Sequence, residues 1–125
     1  MKKWMVLWLG LFVFASCDTA KDIAKALIKA NVVMIEGPIF EDGDTNFYYK
    51  GRVQNKGTAG AISCRVHIYI RNSAGTLLAQ NYNSTYESTL SPNETSGWHV
   101  LFTDDGRKIR DALDPSKMTY EIKWD

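Results

Sequence analysis

From residue 46 onward the chain alternates apolar and polar positions with the period of two that marks a strand half-buried in a sheet. Phe47, Tyr49, Gly51 and Val53 alternate with Tyr48, Lys50, Arg52 and Gln54. The cleanest stripe predicts Ile62, Cys64, Val66, Ile68 and Ile70 on the buried face, with Ser63, Arg65, His67, Tyr69 and Arg71 opposite. Trp98, Val100 and Phe102 alternate with His99 and Leu101, and Met118, Tyr120, Ile122 and Trp124 with Thr119, Glu121 and Lys123. Earlier, Val33 and Ile35 alternate with Met34 and Glu36 in a strand expected to run through Gly37-Pro38 to Phe40. Thr76 to Gln80 predicts a return strand, and Tyr82, Tyr86 and Leu90 a further extended stretch. Turn residues separate these runs at Glu41-Asp42-Gly43-Asp44, Asn55-Lys56-Gly57, Asn72-Ser73-Ala74-Gly75 and Ser91-Pro92-Asn93-Glu94. Asp104-Asp105-Gly106 precedes an expected one-turn helix over Arg107–Leu113. About seven short strands, each apolar on one face, predict an all-β fold: two antiparallel sheets packed as a β-sandwich. No long helix alternates with them, which argues against a parallel sheet.

The first thirty residues follow other patterns. Lys2 and Lys3 precede an uncharged run from Trp4 to Phe14, then Ala15-Ser16-Cys17. A basic start, a short apolar run and small residues before a cleavage point are the parts of a secretory signal. The run is too short for a membrane span, which needs about 20 apolar residues. Phe14-Ala15-Ser16-Cys17 resembles the lipobox of bacterial lipoproteins, although that pattern prefers Leu where Phe14 stands. The resemblance implies that residues 1–16 are a signal peptide and that Cys17 becomes a lipidated N-terminus. The two or more hydrocarbon chains attached there are what stable anchoring requires. Residues 17–30 are then a lipidated N-terminus and helical tether. Ile23, Leu27 and Ala30 share one helical face, Lys21, Lys25 and Lys29 another, and Thr19 is placed to cap the helix. So short an element reads as a spacer lifting the domain off the bilayer, with a partner-docking helix as the alternative that its small apolar face disfavours. Residues 31–125 form the single β domain.

Composition sharpens this picture. The chain has 125 residues, which allows one domain with a real core. A net charge of +1 argues against a strongly basic nucleic-acid binder. Loss of residues 1–16 takes Lys2 and Lys3 from the 15 basic residues, leaving 13 against 14 acidic ones. Cys64 is then the one thiol besides Cys17. Its place in an apolar stripe predicts a buried, unreactive side chain.

Residues 47–103 resemble the FxLYD family, immunoglobulin-like domains of bacterial secreted proteins and lipoproteins. Gly51-Arg52-Val53-Gln54-Asn55-Lys56-Gly57 is similar to the family's Gly-x-Val-x-Asn-x-Gly strand and turn. Ile68-Tyr69-Ile70-Arg71-Asn72 stands where the naming motif sits, with Ile68 and Ile70 for its Phe and Leu, and Arg71 and Asn72 for its Tyr and Asp. Gly75 closes the hairpin and Leu90-Ser91-Pro92 precedes the next strand. The resemblance implies an immunoglobulin-like topology and brings no catalytic residue.

Candidate chemistry is sparse. The two histidines, His67 and His99, are expected on outward strand positions, with no Gly-x-Ser-x-Gly elbow and no triad spacing. In an immunoglobulin-like topology the strands carrying them would be neighbours, which with Glu121 makes zinc a rival reading; the three do not form a compact ligand motif, and the expectation is of no metal site. Asp42 and Asp44, or Asp104 and Asp105, lack the ligand spacing of a calcium loop. Asn83-Ser84-Thr85 and Asn93-Glu94-Thr95 match the glycosylation pattern but read as turns behind a lipobox. One outer face is expected to carry Arg65, His67, Tyr69, Arg71 and His99, with Leu101 and Lys123. Arg and Tyr are enriched at binding hot spots, which makes this the candidate partner face.

The expectation is therefore a lipid-anchored protein of the cell envelope, attached to the membrane through Cys17. Its β-sandwich would be a non-catalytic binding or assembly module for an envelope protein or ligand, without cofactor or metal. The rivals are a small envelope enzyme or metal-binding protein using His67 and His99, and an accessory subunit packing through a sheet edge or the 18–30 helix.

Overall fold

The computed structural model describes residues 3–4, 28–43, 45–104 and 107–125. Cys17, the tether over residues 18–27, and the signal peptide apart from Lys3 and Trp4 lie outside the described residues. Among the described residues there are seven strands: β1 (Lys3–Trp4), β2 (Val32–Asp42), β3 (Asn46–Asn55), β4 (Arg65–Arg71), β5 (Leu77–Ser84), β6 (Thr95–Thr103) and β7 (Thr119–Trp124). A short helix, α1 (Lys108–Ala112), and a 3-10 turn at Pro115–Lys117 join β6 to β7. The strands form two antiparallel sheets, ordered β1-β7-β4-β5 and β2-β3-β6. The residues at the C-terminal end of the expected tether, Ile28 and Lys29, form a bend, not a helix.

The period of two places the core. Phe47, Tyr49 and Val53 of β3 and Trp98, Val100 and Phe102 of β6 join Val66, Ile68 and Ile70 of β4 and Ile122 and Trp124 of β7 in one buried cluster. Each fully buried aliphatic or aromatic side chain contributes about 1.5–3 kcal/mol, so this cluster is what holds the sheets together. Phe47 stacks on Phe102 at 5.1 Å. Gly51 is needed for space: a Cβ there would lie 2.3 Å from the Glu36 carbonyl and 3.0 Å from the Trp98 ring.

Two expectations about the stripes are corrected. In β2 the core-facing residues are Val32 and Met34, while Ile35 is 43% exposed. Val32 lies opposite buried Asn55, and Met34 opposite buried Val53; directly opposed residues share a face, so pairing reversed the expected phase. In the Cys64 stripe, Ile62 is exposed because Ser63, at φ 55°, breaks the extended chain before β4 begins. Cys64 itself is buried. Burial pushes its thiol up to about 11 against the opposing pull of Arg65.

Polar joints tie the layers. Asn55, fully buried, accepts from the backbone N–H groups of Asn31 (3.1 Å) and Gly57 (2.9 Å) and donates to the carbonyls of Ala59 (2.8 Å) and Leu90 (2.9 Å). On one side of the molecule, Asn81 and Asn83 of β5 donate side-chain hydrogen bonds to the Leu101 and His99 carbonyls of β6, at 2.7 and 3.0 Å. These amides join the two edge strands into a seam and occupy carbonyls that an edge would otherwise present. At the end of β6, Asp104 accepts from the backbone N–H groups of Ile109 and Arg110, both at 2.8 Å, fixing α1. Burial alone would raise its carboxyl, but those N–H groups and the Arg110 guanidinium hold it below its ordinary value.

Candidate functional site

The expected partner face does not exist as one surface. His67 lies on β4, paired with β5 and β7, whereas His99 lies on β6, paired with β3 in the other sheet. The strands expected to be neighbours are in different layers, and His67, His99 and Glu121, the set of the rival zinc reading, are split between them. Among the described residues, no group of three or more His, Cys, Asp or Glu side chains is placed to hold a metal ion. Arg65 is also not a surface residue. Its side chain is 11% exposed, donates to the Ser63 carbonyl and pairs with Asp125 at 3.6 Å.

His67, Tyr69 and Arg71 do share the outer face of the β4 sheet. That face binds itself. Tyr69 donates a short hydrogen bond to Glu121, and Arg71 donates to the Thr119 hydroxyl while its guanidinium lies 5.8 Å from the Tyr69 ring centre. His67 stacks on Tyr82 at 4.8 Å with the planes 16° apart. Burial, with the Glu121 hydrogen bond and charge, pushes the Tyr69 hydroxyl up to about 12. A depression of about 430 Å³ remains, lined by His67, Tyr69 and Tyr82 with Gln80, Asn81 and Lys123.

His99 sits on the opposite outer face with Leu101, as the alternation expected, and with three residues that the sequence pattern did not group with it. A second depression, about 380 Å³, is lined by Tyr48, Lys50, Tyr86, His99 and Leu101. Strand register builds it: Tyr48 is paired with Leu101, Lys50 with His99, and Arg52 with Gly97. Tyr86 enters from the segment after β5 and covers Gly97. A Cβ on Gly97 would lie 2.8 and 2.9 Å from the Tyr86 ring carbons, so only glycine lets the ring lie against the sheet. The hydroxyl of Tyr86 bonds His99 Nδ1 at 2.9 Å.

The backbone beneath that ring is pinned residue by residue. Thr85 N donates to the Cys64 carbonyl at 3.0 Å, Tyr86 N to the Gly97 carbonyl at 2.9 Å, and Glu87 N to Ser96 Oγ at 2.8 Å. Tyr86 is nevertheless 65% exposed. His99 lies between two tyrosines, its ring 5.5 Å from Tyr86 and 6.4 Å from Tyr48. Lys50 pairs with Glu41 at 2.8 Å, which raises the ammonium above its ordinary value. Arg52 turns to the Thr95 hydroxyl. The arrangement offers a fixed aromatic surface with a polar floor.

Tyr86 is the residue that sequence reasoning missed, having been read as part of a strand. The available signal was Gly97 at an outward position of an otherwise strong strand, since an isolated strand glycine marks a close approach. Among the described residues no helix is long and apolar enough to cross a membrane. No protein-family model matches the chain, and no curated protein matches it.

Proposed function

We propose that this chain is a lipid-anchored protein of the bacterial cell envelope whose β domain is a non-catalytic binding module. The anchor rests on the signal-like N-terminus and on the lipobox resemblance of Phe14-Ala15-Ser16-Cys17. An immunoglobulin-like sandwich is supported by the order of the strands: the first, second and fifth of the six longer strands make one sheet, and the third, fourth and sixth the other. The FxLYD resemblance belongs to the same proposal. It gains from Asn55, whose four side-chain hydrogen bonds give the Asn of the Gly-x-Val-x-Asn-x-Gly pattern a structural role.

The observation that carries the binding role is Tyr86. A large ring that is 65% exposed, yet fixed through its backbone and hydroxyl, is ordered before any ligand arrives. Preordering reduces the entropy that association costs. Anchoring adds to this by confining the module near the membrane and raising its effective concentration for a neighbour.

Two measurements test the reading together. In a bacterium that processes lipoproteins, the N-terminal peptide of the wild type should carry lipid on Cys17, and Cys17→Ser should be released or left unprocessed. A photo-crosslinking residue in place of Tyr86 should capture an envelope component, while one in place of Lys108, on exposed α1, should not. An unmodified Cys17 removes the anchor; equal capture at both positions removes the binding face.

A further inference from the structure

We propose that the Tyr48–His99–Tyr86 face binds a neutral oligosaccharide, stacked on Tyr86 and hydrogen-bonded across the polar floor. This deepens the binding role proposed above and rests on it. The argument begins with the ring. One face of Tyr86 is closed by the Gly97 backbone and the other is free, so its partner must present a flat, apolar surface. A pyranose does so on its C–H face, while its hydroxyl rim needs donors and acceptors beside the ring. His99 supplies them: Nδ1 is engaged by the Tyr86 hydroxyl, leaving Nε2 as the remaining polar atom of the imidazole.

The spacing suits more than one sugar ring. Tyr86 and Tyr48 lie on either side of His99, at 5.5 and 6.4 Å from it, so two stacking surfaces flank one hydrogen-bonding centre. The depression of about 380 Å³ lies within the ~300–1,000 Å³ typical of small-molecule sites.

Charge favours a neutral ligand. The Lys50 ammonium that lines the depression is offset by Glu41 at 2.8 Å, and Arg52, which keeps its charge on the Thr95 hydroxyl, lies outside the lining. A phosphate-bearing or acidic polymer would want unpaired cations in the lining itself. A proline-rich peptide also docks on aromatic side chains, but an imidazole and an ion pair between the two tyrosines give its rings a polar floor. The sugar is favoured because it uses both the rings and the floor.

The test titrates the full chain, in detergent, with cellotetraose, chitotetraose and maltotetraose, and with a proline-rich decapeptide as comparator. The readout is calorimetry. At least one oligosaccharide should bind, with an affinity insensitive to added salt. Tyr86→Ala should weaken it by roughly tenfold or more, as loss of a central aromatic anchor does. Gly97→Ala should weaken it too, because its Cβ displaces the ring without removing it. Should Gly97→Ala unfold the chain, Tyr48→Ala takes its place. Circular dichroism checks each fold. No binding of any of the three sugars at millimolar concentration overturns the proposal, as does sugar binding that survives Tyr86→Ala or is abolished by salt. Binding of the decapeptide alone overturns the ligand class. If capture at position 86 in cells still succeeds, the binding role stands without the sugar; if that fails as well, both fall.

Discussion

The two outer faces of the molecule carry similar side chains and use them differently. Each has a histidine, tyrosines and a cation beside a depression of comparable size. On the β4 face, the tyrosine hydroxyl ends on Glu121, the arginine on Thr119, and the histidine ring on Tyr82. On the β6 face, bonding runs from the backbone up to Tyr86 and stops there, with the ring exposed. Residue type therefore does not separate a structural face from a proposed binding face. Nor does exposure alone, since Tyr82 is 57% exposed and Tyr86 65%; what separates them is that Tyr82 is stacked on His67, whereas the Tyr86 ring lies over Gly97 with its hydroxyl tied to His99.

The largest effect is expected where the two faces share a support. Asn55 ends β3 and holds the Leu90 carbonyl, while Leu90 bridges Ala61 just ahead of β4. Asn55→Ala removes the side-chain partner of the Asn31 and Gly57 N–H groups and of the Ala59 carbonyl, at about 1–3 kcal/mol for each buried group left unsatisfied, while the Leu90 carbonyl keeps the Ala61 N–H. A stability loss of about 3 kcal/mol or more in urea unfolding is expected. Both faces should be affected together, seen as increased solvent access to Tyr82 and to Tyr86. Loss confined to one face would mean that the sheets do not depend on this joint.

The next effect should fall on the β4 face alone. Tyr69→Phe removes the hydroxyl from Glu121 and should cost about 1 kcal/mol. It has a pH signature. The folded protein holds the Tyr69 proton up to about 12, above its ordinary 10.0, so folding binds that proton more tightly than the unfolded chain does. The stabilisation is full below about pH 10 and is lost as pH rises from 10 through 12. Cys64, raised from 9.0 to about 11, adds a loss of the same sign in an overlapping window. The measurement is accordingly a difference: between pH 9 and 12, urea unfolding of Tyr69→Phe should fall less steeply than that of the wild type. Identical slopes would show that the Tyr69–Glu121 contact is not maintained.

The sequence pattern revealed the strands and much of the core, because burial follows the period of two wherever a strand is regular. Phe47, Tyr49 and Val53, or Trp98, Val100 and Phe102, are buried as their alternation predicts. It failed where pairing or chain direction decides. Met34 faces the core because it lies opposite Val53, which no local pattern contains. Arg65 has the outward phase but is covered through its contact with Asp125, sixty residues further along the chain. The candidate site was the least legible part. His99 and Leu101 were identified correctly as outward residues, but their other companions come from β3 and from the segment after β5, and only the register of β3 with β6 brings Tyr48 and Lys50 to them.

The smallest effect is the sharpest test of the comparison. Tyr86→Phe removes only the bond to His99 Nδ1 and keeps the ring over Gly97. Because Tyr86 is exposed and its backbone is held independently by Gly97, the cost should stay within about 0.5 kcal/mol. Stacking should persist, since the aromatic surface is unchanged. A loss near that of Tyr69→Phe would make the hydroxyl a structural tie like its counterpart on the β4 face, and the distinction between the two faces would fail. A negligible loss shows that the fold does not need the hydroxyl bond to His99, which is then a contact that orders the ring without holding the sheets together.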